Sequence, residues 1–190
     1  MKRLIQQVGL LMFVLALSSF IFTTQAELAD LQQSRFTLID GKPAVNGLQD
    51  SKVVGTVVKN AKDPSGKYIL YGFTDLNKFH QYLANHHSAT AKNPQISSFY
   101  EHIDMKGARL DVRLGTQIRY VGDRWNDKIS SVHPACNGSW TILYQHADFR
   151  GDALAIENSN NLCRYYFNLT QFKLSNGQSW NDQASSIRVY

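Results

Sequence analysis

Cysteine is scarce in this sequence, because Cys136 and Cys163 are the only two in 190 residues. No C-x-x-C pair and no nearby histidine cluster accompanies them, which argues against a zinc site. An even cysteine count favours a disulfide if the chain is exported, and two free, buried thiols are the alternative. A Cys136–Cys163 bridge would add roughly 3–4 kcal/mol to stability by restricting the unfolded chain.

Clusters of basic residues and catalytic motifs are also lacking. The formal net charge is +5, of which Lys2 and Arg3 supply two, and the other basic residues are scattered. Nucleic-acid binding needs a concentrated basic surface, so we expect no nucleic-acid partner. The chain has no G-x-S-x-G, P-loop, G-x-G-x-x-G or H-E-x-x-H motif, and we therefore expect no enzymatic activity.

A short apolar segment at the start of the chain is typical of a signal peptide. Lys2 and Arg3 precede an uncharged apolar run over residues 8–22, and small residues follow at 24 and 26. This run is shorter than the roughly 20 residues that span a bilayer comfortably. We expect residues 1–26 to be cleaved, which leaves a secreted or periplasmic chain without a stable membrane span; an uncleaved N-terminal anchor is the alternative.

Residues 27–95 are predicted to form a small α+β unit. Short apolar runs alternate there with turn-forming pairs such as Asn46-Gly47, and KYILYGF at 67–73 favours a strand. Thr74 or Asp75 can cap a helix whose apolar face is formed by Leu76, Phe79, Tyr82 and Leu83. The polar stretch 86–94 is interpreted as a linker. The only role that we assign to this unit is contact with a protein or cell-surface partner.

Residues 96–190 contain two copies of the same pair of motifs. The pattern Y-x-H-x-D-[MF]-[KR]-G occurs at 100–107 and 144–151, and W-N-D-x-x-S-S occurs at 125–131 and 180–186. Short β-favouring runs separated by turn residues surround both copies, which predicts an all-β sandwich or barrel. One repeat is too small to bury a face alone, so we expect two Greek-key motifs to pack as one sandwich.

These motifs resemble the βγ-crystallin family, in particular its calcium-binding microbial members. The resemblance covers 96–190 and departs from the family at Met105, where an aromatic residue is usual. It implies a βγ-crystallin-like Greek-key sandwich in the C-terminal half, with a calcium loop [ND]-[ND]-x-x-[ST]-S at 126–131 and 181–186. Trp125 and Trp180 are then expected to be core residues.

Each repeated loop supplies the oxygen ligands that Ca²⁺ prefers: a carboxylate, an amide and hydroxyls. The resemblance implies two double-clamp sites with ligands from both repeats, in which the first variable loop position contributes its carbonyl. The second serine of each loop, Ser131 or Ser186, is expected to be structural. The predicted metal-site residues are Glu101, Asn126, Asp127, Lys128, Ser130, Gln145, Asn181, Asp182, Gln183 and Ser185.

The sequence thus predicts an exported calcium-binding protein with a structural or stress-related role. With about one carboxylate per site, affinities on the order of 10⁻⁵–10⁻³ M are expected. The ammonium group of Lys128 is expected to weaken its loop relative to the loop with Gln183; the alternative is that the Glu101 carboxylate approaches the same ion and reverses this order. The alternative function is a secreted protease inhibitor or toxin, with the enlarged span 152–179 as its binding loop.

Overall fold

A computed structural model of the protein describes residues 35–44, 50, 52–87, 95–136, 138–158 and 166–190. The predicted signal peptide at 1–26, most of the predicted linker and Cys163 lie outside these residues. No helix within the described ranges has the length and apolar character needed to cross a membrane.

The described chain contains twelve strands and one α-helix. In chain order these elements are β1 (Leu38–Ile39), β2 (Lys42–Pro43), β3 (Gly55–Lys62), β4 (Tyr68–Phe73), α1 (Leu76–Asn85), β5 (Ile96–His102), β6 (Lys106–Arg113), β7 (Gln117–Ile118), β8 (Ser131–His133), β9 (Trp140–His146), β10 (Arg150–Glu157), β11 (Phe167–Asn168) and β12 (Ser186–Val189).

The two repeats form two sheets that exchange a strand. The first repeat supplies β5 to β8 and the second supplies β9 to β12. One sheet has the order β11-β8-β5-β6, and the other contains β10-β9-β12-β7 in adjacent positions. The third strand of each repeat therefore pairs in the sheet of the other repeat, β7 with β12 and β11 with β8. This arrangement confirms the predicted Greek-key sandwich. Each repeat also needs a strand of the other repeat to complete its sheet.

The space between the sheets is filled by one apolar core. Alternate residues of the paired strands point into it, as expected for sheets with one face on a core. Both repeated tryptophans belong to this core, with Trp180 at 1% and Trp125 at 9% exposure. The expectation that they pack as core residues is confirmed.

The predicted α+β unit continues one of these sheets. Strand β3 runs parallel to β10, with residues 55–58 opposite 153–156. Beyond it, β4, β1 and β2 extend the sheet to eight strands in the order β2-β1-β4-β3-β10-β9-β12-β7. Lys59 on β3 also forms an ion pair with Glu157 on β10, with 2.5 Å between Nζ and Oε1. The N-terminal unit and the sandwich are therefore hydrogen-bonded along one shared sheet.

Helix α1 packs against the outer face of this sheet, the face directed away from the sandwich core. It begins after Asp75, whose carboxylate accepts a hydrogen bond from the Asn77 amide, as predicted for a capping residue. Phe79 and Leu83 are buried beneath it with Trp140 of β9. The Trp140 indole Nε1–H donates to the Leu83 carbonyl at 3.1 Å, which fixes the end of the helix to the sheet.

Replacement of Phe79 tests whether the helix and the sandwich unfold together. Its side chain is fully buried, and its ring lies where a Cβ on Gly55 would be, at 2.8 Å. Phe79→Ala is expected to lower the free energy of unfolding by about 3–5 kcal/mol. Because β3 is bonded to β10, urea unfolding should remain one transition for both circular dichroism and tryptophan emission. The exposed neighbour Gln81→Ala is the control, and two separate transitions would contradict the shared-sheet interpretation.

Candidate metal sites in the repeated loops

Both repeated hairpins fold over at their tips through left-handed backbone. Two non-glycine residues and a glycine in each hairpin have positive φ, which only glycine adopts at little cost. The angles are 57° for Asp104, 58° for Met105 and 79° for Gly107 in the first hairpin, and 58° for Asp148, 60° for Phe149 and 76° for Gly151 in the second. The second hairpin is closed by Tyr144 and Phe149, with ring centroids 5.4 Å apart. In the first hairpin Met105 is 40% exposed.

The second serine of each loop holds the adjacent hairpin in this shape. The Ser131 hydroxyl donates to the His102 carbonyl at 2.7 Å and accepts from the Met105 amide at 3.1 Å. In the other repeat, the Ser186 hydroxyl donates to the His146 carbonyl at 2.6 Å. It also accepts from the amide of the hairpin aromatic residue at 3.1 Å. Both serines are fully buried, and these bonds account for their place in the repeated motif.

The two loops are hydrogen-bonded to each other by a reciprocal pair of backbone bonds. The Asp127 amide donates to the Ala184 carbonyl at 3.2 Å, and the Asp182 amide donates to the Ile129 carbonyl at 3.1 Å. Asp127 and Asp182 occupy matched positions and have φ of 56° and 57°. The loops are thus related by an approximate two-fold axis, and each aspartate is oriented by contact with the opposite repeat. Lys128 and Gln183 directly follow these aspartates.

Three oxygen atoms from both repeats converge at the first loop. The Ser130 hydroxyl oxygen lies 2.7 Å from the Glu101 carbonyl oxygen and 2.9 Å from Oδ1 of Asp182. A hydroxyl carries one proton, so Ser130 cannot donate fully to both acceptors at once. The structure therefore brings together three predicted ligand residues, one of them from the opposite repeat. We call this group, formed by Glu101, Ser130 and Asp182, the first oxygen cluster.

The second loop has a similar but less complete arrangement. The Ser185 hydroxyl donates to the Gln145 carbonyl at 2.7 Å, which matches the contact between Ser130 and Glu101. Across the described residues, no hydrogen bond joins Ser185 to Asp127, and the Asp127 side chain is exposed. We call Gln145, Ser185 and Asp127 the second oxygen cluster. Its carboxylate would have to turn toward the serine to complete an equivalent site.

The two predicted asparagines contact the neighbouring aspartates through their amide nitrogens. Asn126 Nδ2 donates to Asp127 Oδ2, and Asn181 Nδ2 donates to Asp182 Oδ2, both at 2.7 Å. In this orientation each asparagine amide bonds Oδ2 of the following aspartate, so Oδ1 of that aspartate is left for other contacts. The structure thus gives Asn126 and Asn181 a positioning role, and their role as ligands stays a prediction.

Two cationic side chains share a cavity with Glu101, one member of the first oxygen cluster. Glu101, Arg124 and Lys128 line a cavity of about 140 Å³ with Trp125. The Glu101 carboxylate accepts a hydrogen bond from the Ala108 amide at 3.3 Å, so its side chain is held on the hairpin. Lys128 was identified from the sequence, whereas Arg124, which directly precedes the repeated W-N-D motif, was missed. In the second repeat Ser179 precedes Trp180 and Gln183 takes the place of Lys128, so neither cation has a counterpart in that loop.

The chemistry of these atoms fits a hard cation better than zinc. No group of three or more His, Cys, Asp or Glu side chains is placed to hold a metal in the described part of the chain. Calcium, in contrast, accepts carbonyl, hydroxyl and carboxylate oxygens together. Glu101 O, Ser130 Oγ and Asp182 Oδ1 are one of each kind.

The predicted disulfide is only half within the described residues. Cys136 is not a free thiol, whereas Cys163 lies in the range 159–165, which the structure does not describe. The Cys136–Cys163 bridge therefore stays a prediction.

Comparison with known proteins gives similarity in structure only. No protein-family model and no curated protein sequence matches the chain. A βγ-crystallin from an archaeon is 19% identical over 52% of this chain and 100% of that chain, with a TM-score of 0.39. A βγ-crystallin from Ciona intestinalis is 15% identical over 50% and 99%, with a TM-score of 0.36. A βγ-crystallin domain from Clostridium beijerinckii is 18% identical over 50% and 97%, with a TM-score of 0.32.

The fold assignment rests on the strand order and on the folded hairpins. Exchange of the third strand between two Greek keys, together with the glycine-containing hairpin tips, gives residues 96–190 a βγ-crystallin-like fold. The predicted fold class is confirmed on that basis.

Loss of the Ser131 hydroxyl tests its structural assignment. Ser131→Ala removes the buried hydroxyl that bonds both the His102 carbonyl and the Met105 amide. The free energy of unfolding is expected to fall by about 1–3 kcal/mol, by the same amount with calcium or with chelator. Thr170→Ala, at an exposed position, should change it by less than about 0.5 kcal/mol. A destabilisation that appears only with calcium would instead make Ser131 part of a metal site.

Proposed function

We propose that the protein is an exported calcium-binding protein, in which two calcium ions hold the repeated loops together and stabilise the sandwich. The role is structural or stress-related rather than catalytic. The observation that supports this proposal best is the first oxygen cluster, because its three oxygens come from both repeats and share a single hydroxyl proton.

A bound dication would remove the conflict in this cluster. Ser130 has one proton for two acceptors, whereas a calcium ion accepts all three oxygens as ligands. The Asp182 carboxylate would be the only formal negative charge among them, which supports weak affinity on the order of 10⁻⁵–10⁻³ M, the range of extracellular modules.

Calcium binding would stabilise the folded state because the unfolded chain does not bring the repeats together. A ligand that binds only the native state adds RT ln(1 + [L]/Kd) to stability, or about 1.4 kcal/mol per site at tenfold excess over Kd. Export would place the chain where calcium is abundant enough to fill such sites. The proposal of export rests on the apolar segment within residues 1–26.

Removal of the Asp182 charge tests the proposal at the first cluster. We expect calcium to raise the melting temperature of the unmodified protein by several degrees over chelator. Asp182→Asn should abolish at least half of that increase, because it removes the charged ligand but preserves size. Asp63→Asn, in an exposed turn, is the control and should retain the full increase. An identical melting temperature with calcium and with chelator in the unmodified protein would contradict the proposed function.

Replacement of Lys128 tests the effect of nearby cations on affinity. An ammonium group near a dication costs roughly 1 kcal/mol at high effective dielectric. Lys128→Gln should therefore increase the affinity of the weaker site by about two- to fivefold in a two-site calorimetric titration. Lys173→Gln, an exposed lysine on another loop, serves as the control. No gain in affinity at either site would exclude the predicted weakening by Lys128.

A further inference from the structure

A cavity of about 370 Å³ lies between helix α1 and the outer face of the eight-stranded sheet. Its volume falls within the range of small-molecule sites in proteins, about 300–1,000 Å³. It requires both parts of the chain, because the helix comes from the N-terminal unit and the sheet face from the second repeat. It is therefore distinct from the oxygen clusters, which lie in the repeated loops.

The walls of this cavity are apolar and largely aromatic. Trp140, Ile142 and Tyr144 of β9 line the sheet side, and Leu83 and Ala84 line the helix side. The Trp140 indole N–H is already bonded to the Leu83 carbonyl, so the indole ring offers the cavity only its flat apolar surface. Such walls favour a flat, apolar ligand body.

One end of the cavity carries a cation that has no anionic partner. Arg188 of β12 lines it beside the Tyr144 hydroxyl, which lies 3.1 Å from His80 Nε2. The Arg188 guanidinium lies 3.8 Å above the Phe149 ring. Its buried Nε has no hydrogen-bond partner, and no carboxylate in the described ranges forms an ion pair with it.

At neutral pH His80 and Tyr144 are both uncharged, so Arg188 is the charged side chain at this end of the cavity. Burial lowers the pKa of His80, and the Arg188 charge lowers it further, so the imidazole is neutral. Burial also raises the pKa of Tyr144 to about 12, so its hydroxyl stays protonated. No Asp or Glu lines the cavity among the described residues, and His87 is exposed at its mouth. A carboxylate that entered would meet one guanidinium and one hydroxyl donor.

We propose that this cavity binds a small molecule with a flat apolar body and a single carboxylate group. The body lies between α1 and the Trp140 and Tyr144 rings. The carboxylate pairs with the Arg188 guanidinium, a charge-assisted bond that arginine forms well with carboxylates. The Tyr144 hydroxyl donates the second hydrogen bond, and its oxygen accepts from His80 in the Nε2–H tautomer.

The test uses 2-naphthoate as the probe and the uncharged 2-naphthamide as its isostere. Each is titrated into the full chain while the resonance of the Trp140 indole N–H is followed by NMR. We expect 2-naphthoate to bind one to one with Kd of about 1 mM or tighter, and 2-naphthamide to bind at least tenfold more weakly. Equal binding of the two probes, or no saturation up to about 10 mM 2-naphthoate, would overturn the proposal.

Two variants with matched controls separate binding from folding. Arg188→Gln should weaken 2-naphthoate at least tenfold, and the control Arg113→Gln, an exposed arginine of the opposite sheet, should not. Ala84→Phe should block the cavity without a change in melting temperature, because Ala84 is exposed on the helix. Its control is Gln81→Phe, which does not line the cavity. Undiminished binding by Ala84→Phe would place the probe elsewhere and contradict the proposal.

Discussion

The reciprocal bonding between the two repeated loops is the constraint on which the rest of the sandwich depends. Asp127 and Asp182 each donate a backbone hydrogen bond to the loop of the other repeat. Because the third strands are also exchanged between the sheets, neither loop takes its shape from its own repeat alone. In the same arrangement the Asp182 carboxylate lies next to Ser130, which also bonds Glu101. The resulting oxygen cluster is one that neither repeat contains by itself.

The N-terminal unit covers one edge and one face of the sheet formed by the second repeat. Strand β3 removes the free edge of β10, since the two strands pair in parallel, and an unpaired edge is a site for unwanted association. Helix α1 covers the outer face of the same sheet, so β9 is buried on both of its faces over residues 140–144. Where helix and sheet separate, they leave an aromatic cavity with Arg188 at one end.

The parts of the structure that the sequence predicted were the local and the repeated ones. The helix after Asp75 follows from its capping residue and apolar spacing, and the Greek keys follow from the duplicated motifs. The parallel pairing of β3 with β10 could not be predicted, because it joins residues about 100 positions apart and no local pattern encodes register. The sequence held one signal that this sheet is covered on both faces, the segment W-T-I-L-Y at the start of β9. It is apolar on both faces, whereas apolar and polar residues alternate along β6. Arg124 was missed because only the repeated positions were compared.

A crystal structure of the protein grown in excess calcium would show whether each proposed calcium site takes its ligands from both repeats. Anomalous scattering would identify the ion without reference to its ligands. We expect calcium at roughly 2.3–2.6 Å from the Glu101 carbonyl oxygen, Ser130 Oγ and Asp182 Oδ1. A loop without an ion, or an ion held by the residues of one repeat alone, would contradict it.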